Sequence, residues 1–310
     1  MSILPDLLVL LFLFLINASA VIFIFGPVLL LQPARRKREW YARFTTILEP
    51  RDAKLPQEDV VLRTHDGMSL SGWLVAHTKK PKGAVIYLHG VGDCKIGGIA
   101  VAKLLYNNGY DVLLYDSRHH GESEGRFCTY GFYEKRDVSA AIDFLRRRPG
   151  MRECRVAIFG TSMGAAVAIQ AAAIDERIAG VVAEASFTDL RTIFVDYQRR
   201  IIKLPWHFLR NFAMSRSQTI ANFKARLVSP IDDVVRVKAP LLFVHGTKDS
   251  FIRYQYSKKL YDRATGPKQL LLIEGADHND VWDVGGKKYE TTILEFFAHA
   301  LSGKKRTRKE

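Results

Sequence analysis

The sequence predicts an α/β fold: a mostly parallel eight-stranded sheet with helices on both faces, joined to an N-terminal transmembrane helix. Three observations predict it. The chain begins with a long uncharged apolar run, continues with a hairpin pattern, and then alternates six short apolar runs with helix-like stretches. Alternating strands and helices form parallel sheets covered on both faces. With 310 residues, 48% hydrophobic and 25% charged, the chain is not a disordered one.

The apolar run covers residues 7–31 and reads LLVLLFLFLINASAVIFIFGPVLLL. A helix of this length reaches about 37 Å, more than the roughly 30 Å of a bilayer's hydrocarbon core. A cleaved signal peptide is one alternative, because Ala18-Ser19-Ala20 resembles a cleavage site, and a buried core helix is another. Two features weigh against cleavage: residues 2–6 contain no Lys or Arg, and cleavage would leave residues 21–31 as a second apolar stretch. We therefore predict an uncleaved anchor over residues 1–34.

The net charge of +14 is concentrated near the two ends of the chain. Residues 35–38 read RRKR, and residues 304–310 carry five bases and one acid. Bases that directly follow an apolar helix indicate attraction to an anionic membrane surface, and no motif points to nucleic acid. By the positive-inside rule, the C-terminal side of the helix lies in the cytoplasm. Three cysteines without CxxC spacing favour neither a disulfide scaffold nor a zinc site.

The remaining chain alternates strand and helix patterns. Residues 60–64 and 70–75 alternate around the turn His65-Asp66-Gly67, which predicts a hairpin. Further strands are predicted at 84–88, 112–115, 156–159, 178–183, 241–244 and 269–273, and helices around 98–108, 133–148, 163–174, 253–264 and 286–301. Residues 188–238 interrupt this rhythm as an insertion without a clear strand. It is expected to be helical.

A nucleophilic serine is predicted at Ser162. The sequence Gly160-Thr161-Ser162-Met163-Gly164 has the form GxSxG and lies between a predicted strand and an Ala-rich helix. In that context the sharp turn exposes the serine above the sheet, and the helix N terminus offers free N–H groups to an oxyanion. A glycine-rich turn with a solvated serine is the alternative.

The partners of such a serine are predicted at His278 and Asp249. Both residues follow predicted strands. Along the chain the order is serine, acid, histidine, which is the order found in α/β hydrolases and differs from that of chymotrypsin and subtilisin. The histidine would act as base, and the acid would fix its tautomer. Glu184 and Asp277 are the rival acids, and a solvated loop histidine is the alternative for His278.

Two backbone amides complete the predicted site. Val91 follows His89-Gly90 at the end of a strand, and Met163 follows the serine. Their N–H groups would form a two-donor oxyanion hole. His89 itself is expected to hold its loop by hydrogen bonds instead of acting as a base.

From about residue 58 to 300, the chain resembles the α/β-hydrolase superfamily. It is similar to the branch that contains monoacylglycerol lipases, serine aminopeptidases and membrane-anchored α/β-hydrolase-domain proteins. The resemblance lies in His89-Gly90, the stretch 116–123 (DSRHHGES), GTSMG, Asp249 and His278. His119 occupies a position that is usually glycine, which leaves the geometry of that loop open. Glu134 and Asp137 match a Glu-x-x-Asp pattern and are expected to be structural. The resemblance implies hydrolysis without cofactor or metal, through an acyl-serine intermediate.

In this family, the chain between the sixth and seventh strands forms a lid. The insertion contains many aromatic residues and bases, among them Phe194, Tyr197, Trp206, Phe208, Phe212, Arg199, Arg200 and Lys203. The alternatives are an ordinary amphipathic cap and a lid that faces lipid, with an apolar inner face for an acyl chain and a basic outer face for anionic headgroups. No cluster of acids along the chain suggests a site for a free amino terminus, which weakens a peptidase interpretation.

The sequence thus predicts an anchor (1–34), a basic juxtamembrane linker (35–55), a hydrolase domain (56–302) with its lid insertion (188–238), and a basic tail (303–310). The expected activity is that of a membrane-anchored serine hydrolase that cleaves carboxylic esters of apolar acyl substrates, either small molecules or lipids. A peptidase, a protein acyl-thioesterase and a catalytically silent binding protein remain the alternatives.

Overall fold

The computed structural model describes residues 3–202 and 207–302. The predicted basic tail, and Lys203 and Trp206 of the insertion, lie outside these ranges.

The sheet has eight strands in the order β1-β2-β4-β3-β5-β6-β7-β8. Strand β2 is antiparallel to both of its neighbours, and the pairs from β4 to β8 are parallel. The strands are β1 (Glu58–Arg63), β2 (Ser69–Val75), β3 (Ala84–Leu88), β4 (Asp111–Tyr115), β5 (Val156–Thr161), β6 (Ile178–Glu184), β7 (Leu241–Gly246) and β8 (Lys268–Ile273). The predicted hairpin and all six predicted apolar strands are confirmed. Strands β3 and β4 are buried along their whole length, which explains their continuous apolar character.

Helices cover both faces of the sheet. The α-helices of the described chain are α1 (Leu4–Leu31), α2 (Arg38–Tyr41), α3 (Ile99–Asn107), α4 (Glu134–Arg147), α5 (Met163–Ala172), α6 (Leu190–Tyr197), α7 (His207–Ile220), α8 (Pro230–Asp233), α9 (Gln255–Arg263) and α10 (Val281–Leu301). Helices α4 and α5 pack on one face in a core with Leu113 and Ile158. Helices α3 and α10 pack on the other with Leu114 and Phe159. Alternate residues of one strand therefore serve opposite cores.

Helix α1 is 28 residues long and apolar enough to cross a membrane. Its C-terminal end is part of the folded domain. Leu31 is only 1% exposed and packs in a third apolar cluster with Phe187 and Leu190. The carbonyl oxygen of Leu31 accepts a 2.8 Å hydrogen bond from the amide of Cys128, and that of Leu30 accepts one of 2.7 Å from the hydroxyl of Tyr130. The helix is thus fixed to the domain at the residue where it ends.

The linker that follows α1 runs across the loop after β4. Arg35 donates to the carbonyl oxygens of Gly121 and Ser123, at 3.0 and 2.6 Å. Further along, the hydroxyl of Tyr41 donates to the carboxylate of Asp93, in the loop after β3. The linker therefore lies against the end of the sheet where β3 and β4 finish.

Helices α6 and α7 lie between β6 and β7, as a helical insertion predicts. Asp189 caps α6, since its carboxylate accepts from the amide of Thr192 at 2.9 Å. Helix α7 buries Leu209, Ala213 and Ser217 on one face. The expectation of an aromatic inner face is met only in part, because Phe208 and Phe212 are 58% and 37% exposed.

Candidate active site

Ser162 occupies a strained turn between β5 and α5. Its φ of 53° lies in the left-handed region, which a residue with a Cβ adopts only at a cost. Its amide donates a 2.8 Å hydrogen bond to the carbonyl oxygen of Glu184 at the end of β6. The serine side chain lines a cavity of about 500 Å³, together with His278. This is the strand–turn–helix geometry that GxSxG predicts.

Two glycines make this turn possible. A Cβ on Gly160 would lie 2.4 Å from the carbonyl oxygen of Gly164. A Cβ on Gly164 would lie 2.1 Å from the carbonyl oxygen of Leu88, which belongs to β3. Both contacts involve backbone atoms that cannot move aside, so these positions exclude side chains. Helix α5 therefore starts in direct contact with the end of β3.

The predicted acid and base lie together. The Nδ1 atom of His278 is 2.6 Å from Oδ2 of Asp249, although 29 residues separate them in sequence. The carboxylate accepts the Nδ1 proton, which leaves Nε2 of His278 as the basic nitrogen. No hydrogen bond joins Ser162 and His278 within 3.5 Å in the described structure, and the two side chains share the cavity wall.

Asp249 is held by more than His278. Its Oδ1 accepts from the amides of Phe251 and Ile252, at 2.9 and 2.7 Å. Its Oδ2 also lies 3.1 Å from Nε2 of the buried His245. Burial raises the pKa of Asp249, but the hydrogen bonds from His245 and His278 outweigh burial and hold it below its ordinary value. The carboxylate therefore stays ionised at neutral pH.

His245 is a functional contact that the sequence did not identify. Its Nε2 faces two acceptors, Asp249 Oδ2 and the carbonyl oxygen of Ile252 at 2.9 Å, so Nε2 carries the ring proton. Its Nδ1 lies 2.7 Å from the hydroxyl oxygen of Ser257, which then donates to it. The ring thereby helps to orient the acid by contacting Oδ2, the same carboxylate oxygen that His278 contacts.

Neither rival acid contacts the imidazole of His278. Glu184 Oε2 accepts a 2.6 Å hydrogen bond from the hydroxyl of Tyr289, and burial raises the pKa of Glu184. The carboxylate of Asp277 binds the amide and the hydroxyl of Ser250, and also the amide of His278. The structure thus brings Asp249, and neither rival, into contact with the base.

The two predicted oxyanion donors flank the serine. Val91 and Met163 lie next to Gly90 and Ser162, and a Cβ on Gly90 would be 3.4 Å from the Cβ of Ser162. Neither the amide of Val91 nor that of Met163 donates to any acceptor in the described part of the chain. Two free amides beside one serine can receive an oxyanion.

His89 holds its loop, as expected. Its Nδ1 lies 2.7 Å from the carbonyl oxygen of Gly90, and its Nε2 accepts from the amide of Ser117 at 2.9 Å. Burial lowers the pKa of His89 to about 4, so the ring is neutral at physiological pH. A neutral ring with both nitrogens engaged is not a base for catalysis.

The loop at His119 keeps the geometry of a glycine turn. His119 adopts a φ of 61°, so a non-glycine residue takes the left-handed conformation there.

The nearby Arg118 forms a two-point ion pair with the buried Asp137, and Glu134 accepts from the amides of Thr129 and Gly131. Glu134 and Asp137 therefore have the structural role expected of them.

The cavity wall includes residues that the sequence did not place there. Arg36, from the linker, and Asp93, which Tyr41 contacts, line the cavity beside Ser162. Burial raises the pKa of Asp93 to about 6. These contacts join segments more than 50 residues apart, and no local pattern signals them. The aromatic part of the wall comprises Tyr87, Phe159, Tyr197, Phe251, Trp282 and Tyr289.

The cavity also collects carboxylates that lie far apart in sequence. Asp93, Glu184 and Asp283 all line it, against the single guanidinium of Arg36. The absence of a local acidic cluster in the sequence was thus a poor guide to the charge of the cavity. A mixed wall of aromatic rings and carboxylates can receive an apolar group and a hydrogen-bond donor together.

A serine at a strained strand–helix turn, next to an Asp–His pair on this eight-stranded sheet, defines an α/β hydrolase. The comparisons agree: this chain belongs to the α/β-hydrolase superfamily. The family described as "Serine aminopeptidase, S33" matches residues 79–229. The uncharacterized protein Rv2307c of Mycobacterium tuberculosis is 30% identical over 239 residues, which cover 77% of this chain and 78% of that protein.

Two further similarities show the range of the superfamily. The α/β hydrolase domain-containing protein WAV2 of Arabidopsis thaliana is 28% identical over 265 residues, which cover 80% of this chain and 81% of that protein. Among solved structures, the Pyrococcus furiosus esterase Pf2001 is 26% identical with a TM-score of 0.68, and the match covers 81% of this chain and 94% of the esterase. The chain is an esterase-like α/β hydrolase.

Proposed function

We propose that this protein is a membrane-anchored serine esterase that cleaves carboxylic esters of apolar acyl substrates. The observation that carries the proposal is the 2.6 Å contact between Asp249 and His278, in the cavity that also exposes Ser162. An ionised acid, an imidazole with a free Nε2 and a strained serine are the three parts that acyl transfer requires.

The reaction proceeds in two steps. His278 Nε2 takes the proton from Ser162 as the serine oxygen attacks the ester carbonyl, and the carbonyl electrons move to an oxygen bound by the Val91 and Met163 amides. Collapse of this intermediate breaks the ester bond, and the alcohol leaves with the proton from His278. Water then attacks the acyl-serine by the same route and releases the carboxylic acid. Asp249 stabilises the imidazolium in both steps.

Membrane anchoring is supported by α1 and by the segment after it. Trp40 and Phe44 lie close together, with ring centroids 5.0 Å apart, and the guanidinium of Arg36 stacks over Trp40 at 4.2 Å. Phe44 is 71% exposed although it is large and apolar. An exposed aromatic ring beside a half-buried tryptophan, among arginines, is typical of the headgroup level of a membrane. The bases after the helix favour a cytoplasmic catalytic domain.

A panel of p-nitrophenyl esters of increasing acyl length, run beside thioester and aminoacyl p-nitroanilide analogues, tests the proposal with full-length protein in detergent. We expect ester turnover and labelling by a fluorophosphonate probe. Ser162→Ala should abolish both, and the exposed Ser215→Ala should keep both. A folded wild-type protein that neither turns over the panel nor takes the label would contradict an enzymatic function and favour a binding protein.

An aminopeptidase is the second candidate, and the carboxylates of the cavity favour it. Asp93, Glu184 and Asp283 could bind the ammonium group of a peptide N terminus. Faster turnover of aminoacyl anilides than of esters would replace the esterase proposal with this one.

A further inference from the structure

Helix α7 of the insertion packs along α1. The rings of Phe23 and Phe212 meet edge to face with centroids 4.3 Å apart. Further along, the hydroxyl of Ser217, which donates to the carbonyl oxygen of Ala213 at 2.7 Å, also lies 3.2 Å from the carbonyl oxygen of Pro27. Both contacts advance toward the C terminus in each helix, so α7 runs alongside α1 in the same direction. The start of α7 therefore lies beside the part of α1 that precedes Phe23.

The exposed aromatic rings of α7 both lie in its first half. Phe208 and Phe212, in its first half, are 58% and 37% exposed. The second half exposes Ser215, Arg216 and Thr219, and one aliphatic residue, Ile220, at its end. The one charged side chain between the two phenylalanines is Arg210, which is half-buried and bonds to Gln198 and Asn211 at 2.9 and 2.8 Å. The two exposed rings are thus on the half of α7 that lies deeper along α1.

The length of α1 sets the depth of these rings. Asp6 is the last charged residue before the apolar run, so a hydrocarbon core of about 30 Å, or about 20 helical residues, would extend from Leu7 to about Gly26. Phe23 then lies roughly 5 Å inside the core, and so does Phe212 beside it. Phe208, one turn earlier on α7, lies about 5–6 Å deeper. These depths match those of helices that lie in membrane interfaces.

We propose that the first half of α7, with Phe208 and Phe212, inserts into the hydrocarbon edge of the same bilayer that α1 crosses. The partner of this surface is the lipid acyl region, and the proposal rests on the membrane anchor proposed above. Placing this half of α7 in the bilayer removes the exposed surface of both phenylalanines from water, which is favourable for apolar side chains. It also holds the segment 188–238 at the membrane surface. Helix α6 of that segment contributes Tyr197 to the cavity wall. Esters whose acyl chains reside in the bilayer are then the accessible substrates.

Depth-dependent quenching tests this arrangement in the full chain reconstituted into vesicles. Single cysteines replace Leu13, Phe208, Phe212 or Thr219 in a Cys154→Ser background, and each carries a bimane fluorophore. Cys94 and Cys128 are buried and their thiol pKa values are raised by burial, so they remain unlabelled. Brominated lipids quench fluorophores in the hydrocarbon core, and aqueous iodide quenches those in water.

The labels at positions 208 and 212 should respond to brominated lipid, and the label at 219, on the same helix, should respond to iodide. Leu13 reports the anchor itself. A label at 13 that responds to iodide would overturn the anchor and the insertion together. A label at 13 quenched by lipid, with those at 208 and 212 quenched only by iodide, would overturn the insertion and leave the anchor standing.

Activity gives a second and independent readout. Phe208→Asp should lower turnover of a vesicle-embedded ester about fivefold, which is about 1 kcal/mol at 1.4 kcal/mol per tenfold. It should leave turnover of a soluble short ester unchanged, since Phe208 does not line the cavity. The matched control Thr219→Asp should leave both rates unchanged. An equal response of the two variants on vesicles would contradict the proposal.

Discussion

The hydroxyl of Tyr289 donates a 2.6 Å hydrogen bond to Oε2 of Glu184, at the end of the strand next to the serine turn. Glu184 is therefore engaged by a tyrosine from α10, and Asp249 alone of the candidate acids contacts the imidazole of His278. The two carboxylates therefore have different partners: Glu184 binds Tyr289, and Asp249 binds His278. This difference leads directly to the first prediction.

Asp249→Asn should reduce kcat on an ester by about 10⁴, because loss of the orienting carboxylate leaves the histidine in the wrong tautomer. Glu184→Gln should cost much less, since its side chain contacts Tyr289 and not the base. Steady-state kinetics on one ester, with folding checked by circular dichroism, compare the two. The opposite ranking would assign the acid to Glu184.

Leu31→Ala should destabilise the domain by about 2–5 kcal/mol, the usual cost of removing a buried leucine side chain. Leu31 is 1% exposed, whereas Leu29, two residues earlier on the same helix, is 71% exposed. Leu29→Ala is therefore the matched control and should leave stability nearly unchanged. Chemical denaturation in detergent measures both variants. Equal stabilities would show that the end of α1 is not part of the folded domain.

Asp93 should make stability depend on pH. Burial raises its pKa to about 6, whereas an unfolded aspartate titrates near 3.9. The folded state then binds more protons than the unfolded state between these values, so this residue's contribution to stability is present below about pH 4 and is lost as pH rises through about 6. Asp93→Asn removes this pH-dependent contribution to stability, because an asparagine side chain does not titrate. The Tm of the variant relative to wild type should therefore rise between pH 4.5 and pH 7, and an unchanged difference would contradict the assignment.

The orientation of the anchor can be read from two cysteines in the Cys154→Ser background. The two substitutions are Ile3→Cys and Lys79→Cys. Position 3 precedes α1 and position 79 follows it, so the membrane would separate them, and both are exposed. With the bases of the linker in the cytoplasm, an impermeant thiol reagent should label position 3 in intact cells and position 79 only after lysis. Labelling of position 79 in intact cells would instead indicate export of the domain.

The sheet and the principal site groups could be predicted from the sequence because local patterns encode them. Continuous apolar runs such as β3 reflect burial on both faces, and GxSxG reflects the close approach of Gly164 to β3. The roles of Arg36 and His245 could not be predicted. Arg36 reaches the cavity because the linker docks on distant loops, and His245 orients the acid through a contact within the folded loop. Neither arrangement leaves a periodic signal in the chain.

The contact between Gly164 and the end of β3 also determines how the two free amides are arranged. Met163 immediately precedes that glycine, and Val91 follows the strand that the glycine touches. The absence of a side chain at Gly164 therefore lets the start of α5, with Met163, approach the end of β3, from which the loop to Val91 leaves. In the proposed mechanism, these two amides would therefore be in place before any substrate arrives, and binding of the oxyanion would require no reorganisation of their dipoles. A single added carbon at position 164 would collide with the backbone at the end of β3 and disturb this arrangement, even with every side chain that does chemistry unchanged.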